Sequence, residues 1–136
     1  MRRIAALAAA FALLAAGCGG EESFSNQPRP PSPIVLTASI GPDEVSVSPR
    51  RIGAGPVSLV IANQTDAAQQ ITFESTGGAR GFSQQTGPIN PRDTATLKAD
   101  VPRGRVVVRV QGNAIKPATL IVGPERPSAR DELLQP

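Results

Sequence analysis

The stretch Ile34-Val35-Leu36-Thr37-Ala38-Ser39-Ile40, followed by Gly41-Pro42-Asp43 and then by Val45-Ser46-Val47-Ser48-Pro49, decides the fold class of this chain. Ile34, Leu36, Ala38 and Ile40 stand two apart, so they share one face of an extended strand. Gly41-Pro42-Asp43 sets three turn-forming residues in a row. Val45 and Val47 resume the alternation until Pro49, which has no backbone N–H to give to a β-ladder.

The same period of two continues downstream. Pro56 opens the run Val57, Leu59 and Ile61, and residues 63–67 are polar and turn-like. Ile71 and Phe73 alternate with Gln70, Thr72 and Glu74. Residues 75–87 are glycine-rich and predict a long loop with a brief strand near Phe82. Ala95 and Leu97 alternate with Thr94, Thr96 and Lys98. Residues 105–111 form a valine-rich strand, and Ala118, Leu120 and Val122 close the series. Seven or eight strands at a spacing of roughly 8–12 residues predict an all-β Greek-key sandwich over residues 34–123. No stretch sustains a 3.6-residue period, so little helix is expected. The predicted core is thin: Val, Ile, Leu and Ala fill it, with no Trp or Tyr and with Phe73 and Phe82 as its aromatic residues. Small domains bury a smaller share of their surface than large ones.

The residues before the sandwich read differently. Arg2 and Arg3 precede an uncharged run, residues 4–16, built almost wholly of Ala and Leu. That run is too short to span a bilayer, which needs about 20 apolar residues, and has the length of a secretory h-region. It ends in Leu14-Ala15-Ala16-Gly17-Cys18, which resembles the lipobox of bacterial lipoproteins, with Leu14 one place earlier than the commonest pattern. The resemblance implies a signal peptide at residues 1–17, cleavage before Cys18, and a diacylglycerol thioether on its sulfur. Cys18 is the only cysteine and has no disulfide partner within the chain. Two or three acyl chains give stable anchoring where one does not. The expected location is therefore the cell membrane, lipid-anchored, on its extracytoplasmic face.

Residues 18–33 join anchor to domain. Gln27-Pro28-Arg29-Pro30-Pro31-Ser32-Pro33 favours polyproline II geometry. The fifteen residues after Cys18 would then span on the order of 45 Å, at about 3.1 Å each. At the other end, residues 124–136 read as a polar tail, in which Ser128 and Asp131 could cap one helical turn through Leu133 and Leu134.

Charge excludes one function class. Of 14 basic residues, Arg2 and Arg3 lie in the leader, which leaves 12 against 11 acids. A nearly neutral mature chain lacks the phosphate-neutralising excess on which nucleic-acid binding depends.

Three stretches carry a resemblance to the cupredoxin-like, or plastocyanin-like, sandwich. They are Gly53-Ala54-Gly55-Pro56-Val57-Ser58-Leu59-Val60-Ile61-Ala62-Asn63, then Gly87-Pro88-Ile89-Asn90-Pro91-Arg92-Asp93-Thr94-Ala95-Thr96-Leu97, and Val101-Pro102-Arg103-Gly104-Arg105-Val106. Immunoglobulin-like sandwiches use similar phrases, and Arg105 stands where the cupredoxin pattern has an aromatic residue. The family holds copper with an early His, then Cys, His and usually Met in the loop before the last strand. Two imidazoles and a thiolate make that trigonal site. This chain has no His, its one Cys is Cys18 and its one Met is Met1. The early ligand position falls near Gln69 or Gln70, and the later loop reads Gln111-Gly112-Asn113-Ala114-Ile115-Lys116-Pro117. No copper, zinc or other cofactor is expected.

Catalytic constellations are equally absent from the pattern. Asp43, Glu44, Asp66, Glu74, Asp93 and Asp100 are scattered, with no calcium-loop spacing and no paired carboxylates. Gly77-Gly78-Ala79-Arg80-Gly81 lacks the strand-to-helix setting of a phosphate loop. Asn63-Gln64-Thr65 matches a glycosylation sequon that a bacterial lipoprotein does not ordinarily use. Sandwich domains carry function on loops, and the longest predicted loop holds Arg80, Phe82, Gln84 and Gln85 as a candidate binding rim. The resulting expectation is a non-enzymatic, membrane-anchored interaction or accessory module whose partner is an envelope protein, a wall polymer or a small ligand. An accessory to envelope metal or redox handling is the second reading and an enzyme the third.

Overall fold

The structure is a computed structural model that describes residues 29–76 and 81–128. The expected signal peptide, Cys18, most of the tether, Arg80 and the helical cap at Asp131 lie outside the described residues. Eight strands make up the fold: β1 (Ile34–Ile40), β2 (Val45–Ser48), β3 (Arg51–Asn63), β4 (Ile71–Thr76), β5 (Ser83–Gln85), β6 (Thr94–Val101), β7 (Gly104–Val110) and β8 (Ala118–Glu125). The described residues contain no helix.

The strands form two sheets that share β3. In the first, β1 pairs with β2 antiparallel and with β3 in parallel, from Ile34 opposite Val57 to Ile40 opposite Asn63. The other side of β3 pairs with β6, from Gly55 opposite Val101 to Ala62 opposite Thr94. In the second sheet the opening residues of β3 run parallel to β8, with Arg51 opposite Ile121, and the order continues through β7 and β4 to β5 at the edge.

Gly53-Ala54-Gly55 is the point where β3 passes from one sheet to the other. The register with β8 shifts between Gly53 and Ala54, a bulge of the kind that bends a strand. Gly55 has φ 125°, a backbone region that L side chains avoid. A Cβ added there would also stand 2.8 Å from Pro31 Cγ. Gly53-Ala54-Gly55 is thus the corner of one continuous strand.

The period of two sets the core. Leu36, Ile40, Val57, Leu59, Ile61 and Val101 point inward from the first sheet, and Ile71, Phe73, Val106, Val108, Leu120 and Val122 from the second. Full burial of such side chains stabilises by roughly 1.5–3 kcal/mol each. The domain's two aromatic residues meet edge to face, Phe73 and Phe82 with ring centroids 5.2 Å apart at 89°.

Three expectations need correction. Pro56 does not open a strand but lies inside β3, which starts at Arg51. The brief strand expected near Phe82 is β5 at Ser83–Gln85, but the loop does not begin at Ser75, because Ser75 and Thr76 complete β4. The sandwich does not end at Gly123, because β8 continues to Glu125. Beyond it, Arg126 donates to Ser32 O at 2.5 Å, to Ala54 O at 3.3 Å and to Pro56 O, while Ser128 Oγ donates to Arg29 O at 2.6 Å. Pro31 is buried. The end of the tether and the start of the tail are therefore fastened to the sandwich. Their partners are backbone carbonyls, which leave no trace in composition.

Candidate functional site

The two stretches that fall where the resembled family has its ligands do converge. Gln111 N donates to Gln70 O at 2.9 Å, which joins the start of β4 to the loop before β8 at one end of the sandwich. That loop is latched at its far side: Val45 N donates to Lys116 O and Lys116 N donates to Asp43 O, both at 2.8 Å.

Asn63 organises this end. It is the one buried polar or charged side chain among the described residues, 1% exposed. Its Nδ2 donates to Ala67 O at 2.8 Å, Ile89 O at 2.9 Å and Asn90 O at 3.2 Å. Its Oδ1 accepts from Thr65 N at 3.0 Å and Thr65 Oγ1 at 2.7 Å. A buried amide is tolerated only when its donors and acceptors are satisfied, and here both are. The sequon reading of Asn63-Gln64-Thr65 misses this role, since Asn63 faces the core and Thr65 serves it.

The glutamines are similarly engaged. Gln69 pairs with Ile89 through both backbone groups, N to O at 2.9 and 2.8 Å, and its Nε2 donates to Thr65 Oγ1 at 3.2 Å. Gln70 Nε2 donates to Thr86 O at 2.7 Å, and Thr86 Oγ1 accepts from Ile71 N at 3.1 Å. These bonds seal the end with amides and backbone.

Of the candidate rim, Arg80 lies outside the described residues. Gln84 and Gln85 are exposed on the edge strand β5, opposite Phe73 and Thr72. Phe82 is half-buried against Phe73. Its N donates to Ser75 Oγ at 2.9 Å, and its O accepts from Ser75 N at 2.8 Å. The exposed part of Phe82 borders an open groove of about 620 Å³ with Gly55, Val101, Pro102, Arg103 and Glu125.

A second feature escapes sequence reading. Arg50, Arg51 and Arg105 line a shallow depression of about 370 Å³ with Thr119 and Ile121. Arg50 and Arg51 are neighbours in the chain, but Arg105 stands more than fifty residues further on and joins them only through sheet register, so no local motif marks the set.

Solved structures with a similar fold include a blue copper protein. The fold is similar to auracyanin A of the green thermophilic photosynthetic bacterium Chloroflexus aurantiacus (TM-score 0.54, 11% identity, 68% of this chain and 100% of that one). It is similar to auracyanin B (TM-score 0.54, 15% identity, 78% and 97%). It is also similar to an auracyanin of Roseiflexus castenholzii (TM-score 0.50, 12% identity, 69% and 99%). No family model matches the sequence, and no curated protein matches it. At these identities the likeness concerns the fold, and it decides between the two expected architectures: the domain is a cupredoxin-like β-sandwich.

That fold implies a copper centre, and the residues present do not fit one. The chain contains no His. At the position read as the early ligand, Gln69 and Gln70 offer amides already committed to Thr65 Oγ1 and Thr86 O. The loop at 111–116 brings amides, an exposed Lys and apolar groups, but neither sulfur nor imidazole. Among the described residues no three His, Cys, Asp or Glu side chains gather at one point.

Proposed function

We propose that this protein is a lipid-anchored, extracytoplasmic interaction module that uses the cupredoxin-like fold as a scaffold and not for electron transfer. The observation that carries this reading is the donor set: the stretches that resemble the family's ligand positions, Gln69 or Gln70 and residues 111–117, offer neither imidazole nor thiolate. Function is a property of the site and not of the fold. The lipobox-like run before Cys18 supports anchoring. Exposed Gln84 and Gln85, with Arg80, are the candidate contacts to an envelope protein or wall polymer.

Expression of the full chain in a bacterium with labelled fatty acid tests the anchor. The wild-type protein takes up label and partitions into detergent, and Cys18→Ala loses both. A Cys18→Ala protein that remains labelled and membrane-bound would refute the anchored reading. Crosslinking in intact cells tests the module: a partner lost with Arg80→Ala combined with Gln84→Ala supports the rim, and undiminished capture rejects it.

A further inference from the structure

We propose that the outer face of the second sheet around Ile121 is a membrane-docking surface, on which Arg50, Arg51 and Arg105 engage the phosphates of anionic lipid headgroups. The inference rests on the anchored reading above, which supplies the bilayer.

Register builds the surface. Ile121 lies opposite Arg51 on β3 and opposite Arg105 on β7. Side chains so paired share a face, with Cβ atoms about 4.5–5.5 Å apart. Arg50 is tied to the same spot, because its O accepts from Ile121 N at 2.9 Å. Ile121 is 52% exposed between Arg51 and Arg105. The other exposed large hydrophobic among the described residues, Val35, belongs to the first sheet.

The charge is uncompensated. Among the described residues none of the three arginines forms an ion pair, and the ion pairs present are Arg92 with Asp66 and Arg109 with Glu74. Of the acids on the strands of this sheet, Glu74 is held by Arg109 at 2.6 Å and Glu125 lies four residues beyond Ile121 on β8. Guanidinium groups match phosphate oxygens in forked geometry and are weakly hydrated for a cation. An aliphatic side chain set among them suits the boundary where headgroup phosphates meet acyl chains. A soluble polyanion offers the charge but no apolar phase for Ile121, which is why the bilayer is the occupant.

Geometry brings the anchor close. Pro31 packs beside Gly55, and Arg126 holds Ser32 O. Gly55 is four residues along β3 from Arg51, about 13 Å at a strand's rise. The chain leading back to Cys18 thus leaves the domain near the patch. A lipid chain plus a basic patch is a two-signal attachment.

The test uses the mature chain from residue 18 with Cys18→Ser, so that no acyl group contributes, sedimented with vesicles. It should bind vesicles containing roughly 30% phosphatidylglycerol, fail to bind pure phosphatidylcholine, and dissociate as salt rises. Replacing Arg50, Arg51 and Arg105 together with Ser should lower partitioning on the order of 100-fold, each contributing about fivefold. An unchanged melting temperature confirms that this variant is folded. Ile121→Ser should weaken vesicle binding further. No binding to the anionic vesicles, or equal binding by the triple variant, overturns the proposal. So does equal binding to a soluble poly(glycerol phosphate) chain that ignores Ile121→Ser. If Cys18 proves unlabelled in cells while vesicle binding holds, the anchored reading fails and the docking surface stands.

Discussion

The side-chain amide of Asn63 donates to the carbonyl of Ile89, 2.9 Å away and 26 residues further along the chain. Around that bond, Asn63 O accepts from Arg92 N at 3.0 Å and Asp93 O accepts from Asn63 N at 2.9 Å, so the turn before β6 hangs on one residue of β3. Asn63→Ala removes the partner of several groups at once. Each buried group left unsatisfied costs roughly 1–3 kcal/mol, so urea unfolding should show a loss of about 3 kcal/mol or more. Asn63→Asp sets a carboxylate against the carbonyls of Ala67, Ile89 and Asn90. Burial and those carbonyls raise the new carboxyl's pKa in the folded state. Its deficit should therefore be largest at neutral pH, shrink as the pH falls through that raised value, and be smallest below about pH 4, where the unfolded chain is protonated as well. A deficit independent of pH would argue against the amide donors as the source of the stability.

Phe82 and Arg80 separate a packing role from a binding one. The Phe82 ring meets Phe73 edge to face at 5.2 Å, yet it is only half-buried. Phe82→Ala should therefore cost about 2 kcal/mol, less than the ~3–5 kcal/mol of a fully buried ring. Phe82→Leu should recover part of it. Arg80→Ala should leave thermal unfolding unchanged, so that any loss of partner capture by that variant reports contact and not folding. A melting shift with Arg80→Ala would remove it from the candidate rim.

The alternation around Ile34–Ile40 and Val45–Ser48 was readable because each of those strands has one face in the core and one in solvent. The bend of β3 was not, since Gly53, Gly55 and Pro56 are the residues that also make turns. Propensity rules are local, and the pairing that keeps this segment extended comes from β8 and β6. The candidate site divides in the same way. The mismatch with copper was visible as a missing residue type. Asn63, Arg126 and the arginine cluster were hidden, because their roles depend on carbonyls and cross-strand neighbours that only the fold assembles.

Copper itself provides a direct check. Adding Cu(II) to the purified unlipidated chain should give no intense blue band, since a thiolate and two imidazoles are needed for one. Gln70→His should not create the band, because no thiolate stands in the loop at 111–116. An intense absorption on titration of either protein would show that the end sealed by Asn63 opens to recruit ligands from elsewhere.

Arg126 makes the last prediction, which concerns where the domain ends. Its guanidinium reaches Ser32 O, Ala54 O and Pro56 O, and so ties the tail both to the tether and to β3. Hydrogen bonds from a charged donor are worth about 1.5–3 kcal/mol each when shielded. Arg126 is partly exposed and competes with water, so the set should total nearer to one such bond than to three. Arg126→Ala is expected to lower stability by about 2 kcal/mol. Arg126→Lys should recover less than half of that, because an ammonium lacks the planar fork that serves several carbonyls at once. Stability alone does not distinguish a fastened tether from a well-packed tail, so a second readout is needed. The backbone order parameter of Ser32 should fall from the rigid range near 0.85 to below about 0.6 in Arg126→Ala. Loss of stability with Ser32 still rigid would place the value of Arg126 in its bonds to β3 alone. The junction between domain and tether would then have to be held by Pro31 against Gly55.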